Sequence, residues 1–210
     1  MGFWNKLVSC PQQLALGFLA AGLLATTWVY APALDGGLYL DSVKLHQLAT
    51  VYEDQGTNVS LGDIGFGYET GRILSQLSFY LNIVAADGLD VRAIKLTNLV
   101  IHLVNAILVY TLAAMVLART GVADRRYLLA GLTALIWLVS PVNMASVAYA
   151  VQRMNELSTL FSLLAVVFYL YMRGSFAAAP PRAGTLIVTM AGTALLTVLA
   201  YASKENGILV

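Results

Sequence analysis

Five stretches of the chain, near residues 13–33, 96–118, 127–140, 155–172 and 184–202, are predominantly apolar. A helix that crosses a bilayer needs roughly 20 such residues, within a range of about 17–25. Hydrocarbon offers backbone N–H and C=O groups no partner, so each span must satisfy its own. That constraint predicts an all-α polytopic membrane protein with about five transmembrane helices. The third stretch is short. Pro141 interrupts it, and apolar residues resume over 142–151, so a helix should end near Ser140 with a short segment after it. Composition agrees. Residues AVILMFWYC make up 59% of the chain and charged residues 11%, whereas a soluble domain usually carries about 25% charged residues. There are too few polar groups to cover a water-facing surface.

Charge placement orients the bundle. With the N-terminus in the cytoplasm, the inner segments hold Lys6, Arg119, Arg125, Arg126, Arg173 and Arg182, and Asp124 as their only acid. Short, Arg-rich inner loops are what the positive-inside rule requires. This gives five spans, N-terminus inside and C-terminus outside. The net charge of +1, with no basic face or aromatic platform, argues against a nucleic-acid partner. The lipid bilayer is the partner that composition implies. No metal site is expected, because His102 has no second His or Cys near it and His46 lies in a loop. Cys10 is the single cysteine, so it forms no internal disulfide.

Residues 1–210 read as one membrane domain with an outer loop over 34–95. Two amphipathic helices are expected in that loop. "SVKLHQLATVYEDQ" places Leu45, Leu48, Val51 and Tyr52 at helical spacing, and "GRILSQLSFYLNIV" places Ile73, Leu77, Tyr80, Leu81 and Val84 on one stripe. Such helices would lie along the outer membrane surface. In the second span, Asn98, His102 and Asn105 share a face. Side chains of this kind make interhelical hydrogen bonds in membranes or contact a polar ligand in a cavity.

Polar residues collect at the outer ends of the spans. Asp41 follows the first span, Arg72 opens the second surface helix, Arg153 and Glu156 open the fourth span, and Lys204 and Glu205 follow the fifth. Each has an ordinary alternative. Asp41 suits a helix cap, Arg153 and Glu156 an i, i+3 pair, and Lys204 and Glu205 a membrane boundary. Asp41 with Arg72, Arg153 and Lys204 places a carboxylate and three cations on one side of the membrane. That set suits an anionic, lipid-borne ligand, since arginine's planar fork matches phosphate and a carboxylate can take a proton from an acceptor hydroxyl.

Four segments occur in the order of a known pattern: "RILSQLSFYLN", "IKLTNLVIHLVNAILVYTL", "SPVNMASVAYAVQRMNELSTLFSLLAVVFYLYMR" and "SKENGILV". The chain resembles the N-terminal membrane part of GT-C glycosyltransferases that use polyprenyl-phosphate sugars. It is most similar to the bacterial tetratricopeptide-repeat membrane proteins related to the TMTC protein O-mannosyltransferases. The family's acidic pair in the first outer loop is matched by "LYLDS", with Asp41 at the first position and Ser42 at the second. Its later His-Pro appears as Ser140-Pro141. The resemblance implies an inner-membrane transferase with a lipid-linked sugar as donor substrate, and it leaves a divalent metal open. Asp41 would activate the acceptor. Arg153 would bind phosphate or hold the loops, with Glu156 orienting it, and Lys204, with Arg72, would neutralise the leaving phosphate. A second expectation is a non-catalytic GT-C-derived subunit of a larger membrane complex. A third, a transporter or channel component, predicts ionisable groups buried mid-span, and His102 is the one such residue in the spans.

Overall fold

The computed structural model describes residues 11–64, 72–176 and 182–209. Lys6, Cys10 and Glu69 lie outside them. The described residues form helices and turns, with no strand. Four helices are long and apolar enough to cross a membrane: α1 (Pro11–Leu34), α5 (Val91–Leu117), α8 (Arg153–Phe176) and α9 (Ala183–Ser203). A further pair, α6 (Arg126–Leu138) and α7 (Met144–Ala148), is bent by 48° at Pro141 and is long and apolar enough to cross only if the two helices count as one span, giving four to five spans among the described residues. The break predicted at Ser140 is present, because proline has no N–H to continue the ladder. The spans stand side by side in the order α1, α6, α5, α8, α9.

Small residues set the close approaches. A Cβ on Gly131 of α6 would lie 3.2 Å from the Ala15 carbonyl oxygen of α1. One on Gly192 of α9 would collide with the Phe168 ring of α8 at 2.5 Å. Backbones can come this near only where side chains are minimal, and that packing holds membrane helices together where hydrophobicity cannot.

The segment between α1 and α5 folds over one end of the bundle. It contains α2 (Lys44–Gln55), a single turn α3 (Leu61–Ile64) and α4 (Ile73–Ala86). Leu45 and Leu48 of α2 are buried as the sequence predicts. On α4 the expected stripe is rotated. Leu81 is exposed, while Ser75, Gln76, Phe79, Tyr80 and Ile83 are buried. The hydrophobic count misses this because α4 packs against protein rather than lying on a surface. Phe79 and Ile83 join Leu45, Leu48, Ile94 and Met154 in one core.

Polar contacts fix which helix ends share this side. Lys95 of α5 is buried and donates to the carbonyls of Ala33 (3.0 Å) and Gly36 (2.7 Å), satisfying the free end of α1. Arg92 pairs with Asp35 at 2.6 Å.

Candidate functional site

At the α2–α4 end, a cavity of about 230 Å³ is lined by Asp41, Lys44, Arg72, Tyr149, Gln152 and Lys204, with Val151 and Met154 between them. Asp41 is brought here by a tight turn. Leu40, just before it, has φ 51°, a left-handed conformation that is unusual for a bulky residue. The Asp41 N–H donates to the Tyr149 hydroxyl at 2.9 Å, and the Val151 N–H donates to Ser42 Oγ at 3.3 Å. These two bonds clip the chain after α1 to the junction of α7 and α8. Ser42, which stands where the resemblance calls for a second acid, is fully buried in this clip.

Arg72 precedes α4 and donates from Nε to both Glu205 oxygens, at 3.0 and 3.2 Å. Glu205 keeps its charge below the usual carboxylate range, first through its own backbone N–H and then through Arg72. Lys204 donates to Asn155 Oδ1 at 2.5 Å, and the Asn155 amide donates to Gln152 Oε1. The cavity therefore holds one carboxylate and three cations in its lining, with Glu205 against Arg72. Such an arrangement attracts an anion and can accept a proton beside it.

Comparison of the chain with protein-family models, curated proteins and solved structures gives no match.

Neither Arg153 nor Glu156 lines this cavity, and of the two roles expected for Arg153 its contacts fit holding the outer-loop helices. Arg153 is fully buried. Its Nε donates to Asn98 Oδ1 (2.8 Å), Nη1 to Asn82 Oδ1 (2.6 Å) and the Ser78 carbonyl (3.0 Å), and Nη2 to the Ile94 carbonyl (2.7 Å). The guanidinium also lies over the Phe79 ring at 4.3 Å. With all three nitrogens engaged, it joins α8 to α4 and α5 rather than to a phosphate. Glu156 faces a different set of groups. One oxygen accepts from Asn105 Nδ2 at 2.8 Å, and the other lies 3.3 Å from His102 Nδ1. The His102 ring stacks on Trp137 at 4.7 Å, and its Nε2 is 3.3 Å from the Leu138 carbonyl. Asn98 also donates to the Ala150 carbonyl at 3.0 Å. The polar face of α5 is therefore an interhelical seam.

The structure thus gathers Asp41, Arg72 and Lys204, with Glu205 beside them. It adds Lys44, Tyr149, Gln152 and Asn155, which sequence reasoning did not assign to a site. A signal for two of these was present. Gln152, Asn155, Thr159 and Ser162 recur on one helical face, adjacent to the face that carries Arg153 and Glu156.

Proposed function

We propose that this chain contributes the donor-phosphate pocket of a GT-C-type glycosyltransferase of the bacterial inner membrane. It would act at the outer face on a polyprenyl-phosphate-linked sugar. One observation carries the reading: Asp41 and Lys44, Arg72, and Lys204, from three separate segments, border a single cavity at one end of the bundle. The acceptor oxygen attacks the anomeric carbon while the carbon–oxygen bond to phosphate breaks. The acceptor proton passes to the Asp41 carboxylate. The cations offset the charge that develops on the departing polyprenyl phosphate. The motif resemblance around "LYLDS" and "SKENG" supports the same reading.

Polyprenyl phosphate is the direct probe. The protein in nanodiscs should bind undecaprenyl phosphate, and Lys204→Ala should weaken that binding about tenfold, the loss expected for one charged hydrogen bond. Undecaprenol, which lacks the phosphate, should bind poorly to both forms. Equal binding of the alcohol, or unchanged affinity in the variant, would remove the phosphate assignment.

A second reading is a non-catalytic subunit built on the same scaffold. The observation favouring it is that Glu205 already supplies Arg72 with an internal counter-charge.

The reading also requires the cavity to face outward. Cysteine probes at Thr57 and Asn206 should react with an impermeant reagent from outside, and a probe at Ala123 only after the inner face is opened. Labelling of Thr57 from the inner face would invert the orientation.

A further inference from the structure

The turn that carries Asp41 is strained, and its own residues do not account for the strain. The Ser42 N–H donates to the Tyr39 carbonyl at 3.1 Å, closing a tight turn with Leu40 at its second position. Leu40 has φ 51°. Turns with positive φ at that position normally hold glycine, asparagine or aspartate there, because a bulky side chain is crowded in the left-handed region. Packing does not compensate, since Leu40 is 82% exposed.

Strain of this kind persists only where the surroundings over-determine the conformation. Here the surroundings are two hydrogen bonds to one short segment at the junction of α7 and α8. The Tyr149 hydroxyl accepts from the Asp41 N–H at 2.9 Å, and Ser42 Oγ accepts from the Val151 N–H at 3.3 Å. The Tyr149 bond is the shorter one, and it is made to Asp41 itself. The net worth of one such bond and the cost of one left-handed residue are of the same order. Loss of the Tyr149 bond therefore tips the turn toward relaxation. Relaxation to negative φ redirects the chain as it leaves Leu40, and Asp41 then leaves the cavity that it lines together with Tyr149.

Tyr149 is itself well placed to hold a partner. Its backbone is extended, with φ −93° and ψ 104°, between the end of α7 and the turn Ala150–Gln152. The next residue, Ala150, is buried and accepts from Asn98 of α5 through its carbonyl at 3.0 Å. The tyrosine thus stands on a segment fixed to the bundle, while the turn it holds has only the clip.

We propose that Tyr149 is a positioning residue, whose hydroxyl holds Leu40 in the left-handed region and thereby fixes the Asp41 carboxylate at the charged cavity. Calling this a service to catalysis rests on the preceding reading of Asp41 as a base. The anchoring itself does not depend on it.

Tyr149→Phe, Leu40→Gly and the double variant, compared with the parent in nanodiscs, test the idea. Phenylalanine keeps the ring and removes the acceptor. The readout is amide exchange at Val151, whose acceptor Ser42 moves with the turn. Tyr149→Phe should speed that exchange about fivefold, the factor for one net hydrogen bond. Glycine adopts positive φ without penalty, so adding Leu40→Gly should return Val151 to within about twofold of the parent. In a protein that supports transfer, Tyr149→Phe should lower kcat about fivefold and leave the KM for the lipid donor unchanged, because the cations stay in place. Leu40→Gly should restore that kcat, which it would not do for a tyrosine needed only to pack. Unchanged Val151 exchange in Tyr149→Phe overturns the proposal. So does a kcat loss that Leu40→Gly leaves in place, or a kcat equal to the parent's while Val151 exchange is fast. The two readings fail separately. If the parent neither binds undecaprenyl phosphate nor turns over, the transferase reading falls, and Val151 exchange still decides the anchoring.

Discussion

Arg153→Ala should lower the stability of the folded bundle by about 3–5 kcal/mol, the range for removing one partner from a buried charged network. The substitution strands the Asn98 and Asn82 side-chain oxygens and the carbonyls of Ser78 and Ile94, and it leaves Phe79 without the cation over its ring. Water cannot reach Asn98 or Ile94, which are fully buried, whereas Asn82 and Ser78 are half-buried. Arg153→Lys keeps the charge but loses the planar fork, so it should restore only part of the stability. Reversible unfolding in mixed micelles measures the differences. A loss under about 1 kcal/mol for the alanine variant would place Arg153 among ordinary surface pairs and contradict the network.

Asp41→Asn is the second large effect, this time on rate. In a protein that supports transfer, removal of the general base should lower turnover about 10²–10⁴-fold. Binding of undecaprenyl phosphate should remain, because the cations are untouched. The fold should also remain, because Asp41 is tied to Tyr149 through its backbone N–H, which asparagine keeps. Turnover within threefold of the parent would leave Asp41 as a turn residue and favour the non-catalytic subunit.

The spans were legible in the sequence because hydropathy and helix length report directly on the hydrocarbon. The break at Pro141 was legible for an equally local reason, the missing N–H. The face of α4 was not. Period 3.6 locates a stripe, but Gln76 and Ser75 are buried and Leu81 is exposed, an outcome decided by which neighbours α4 meets. The partners of Arg153 and Glu156 were not legible for the same reason. A cation at the start of an apolar helix reads identically whether it meets water or four protein acceptors. Those acceptors lie 55 to 75 residues away in the sequence. Asp41, Arg72 and Lys204 could be grouped in advance because topology alone puts span ends on a common side. Lys44 and Tyr149 carried no comparable mark.

The seat of Arg153 also implies an order of events during synthesis. Ser78, Asn82, Ile94 and Asn98 all belong to α4 and α5, which leave the ribosome before α8. A guanidinium in hydrocarbon is costly, even by the lower estimates of about 2.5–3.5 kcal/mol at a helix centre. α8 therefore enters a membrane that already contains its receptor, and its arginine can pass from the insertion channel to protein acceptors without resting in lipid. Delaying α5, for instance by lengthening the segment before it, would leave α8 with no such seat at the moment of insertion. Retention of the later half of the bundle should therefore depend on the earlier half being in place.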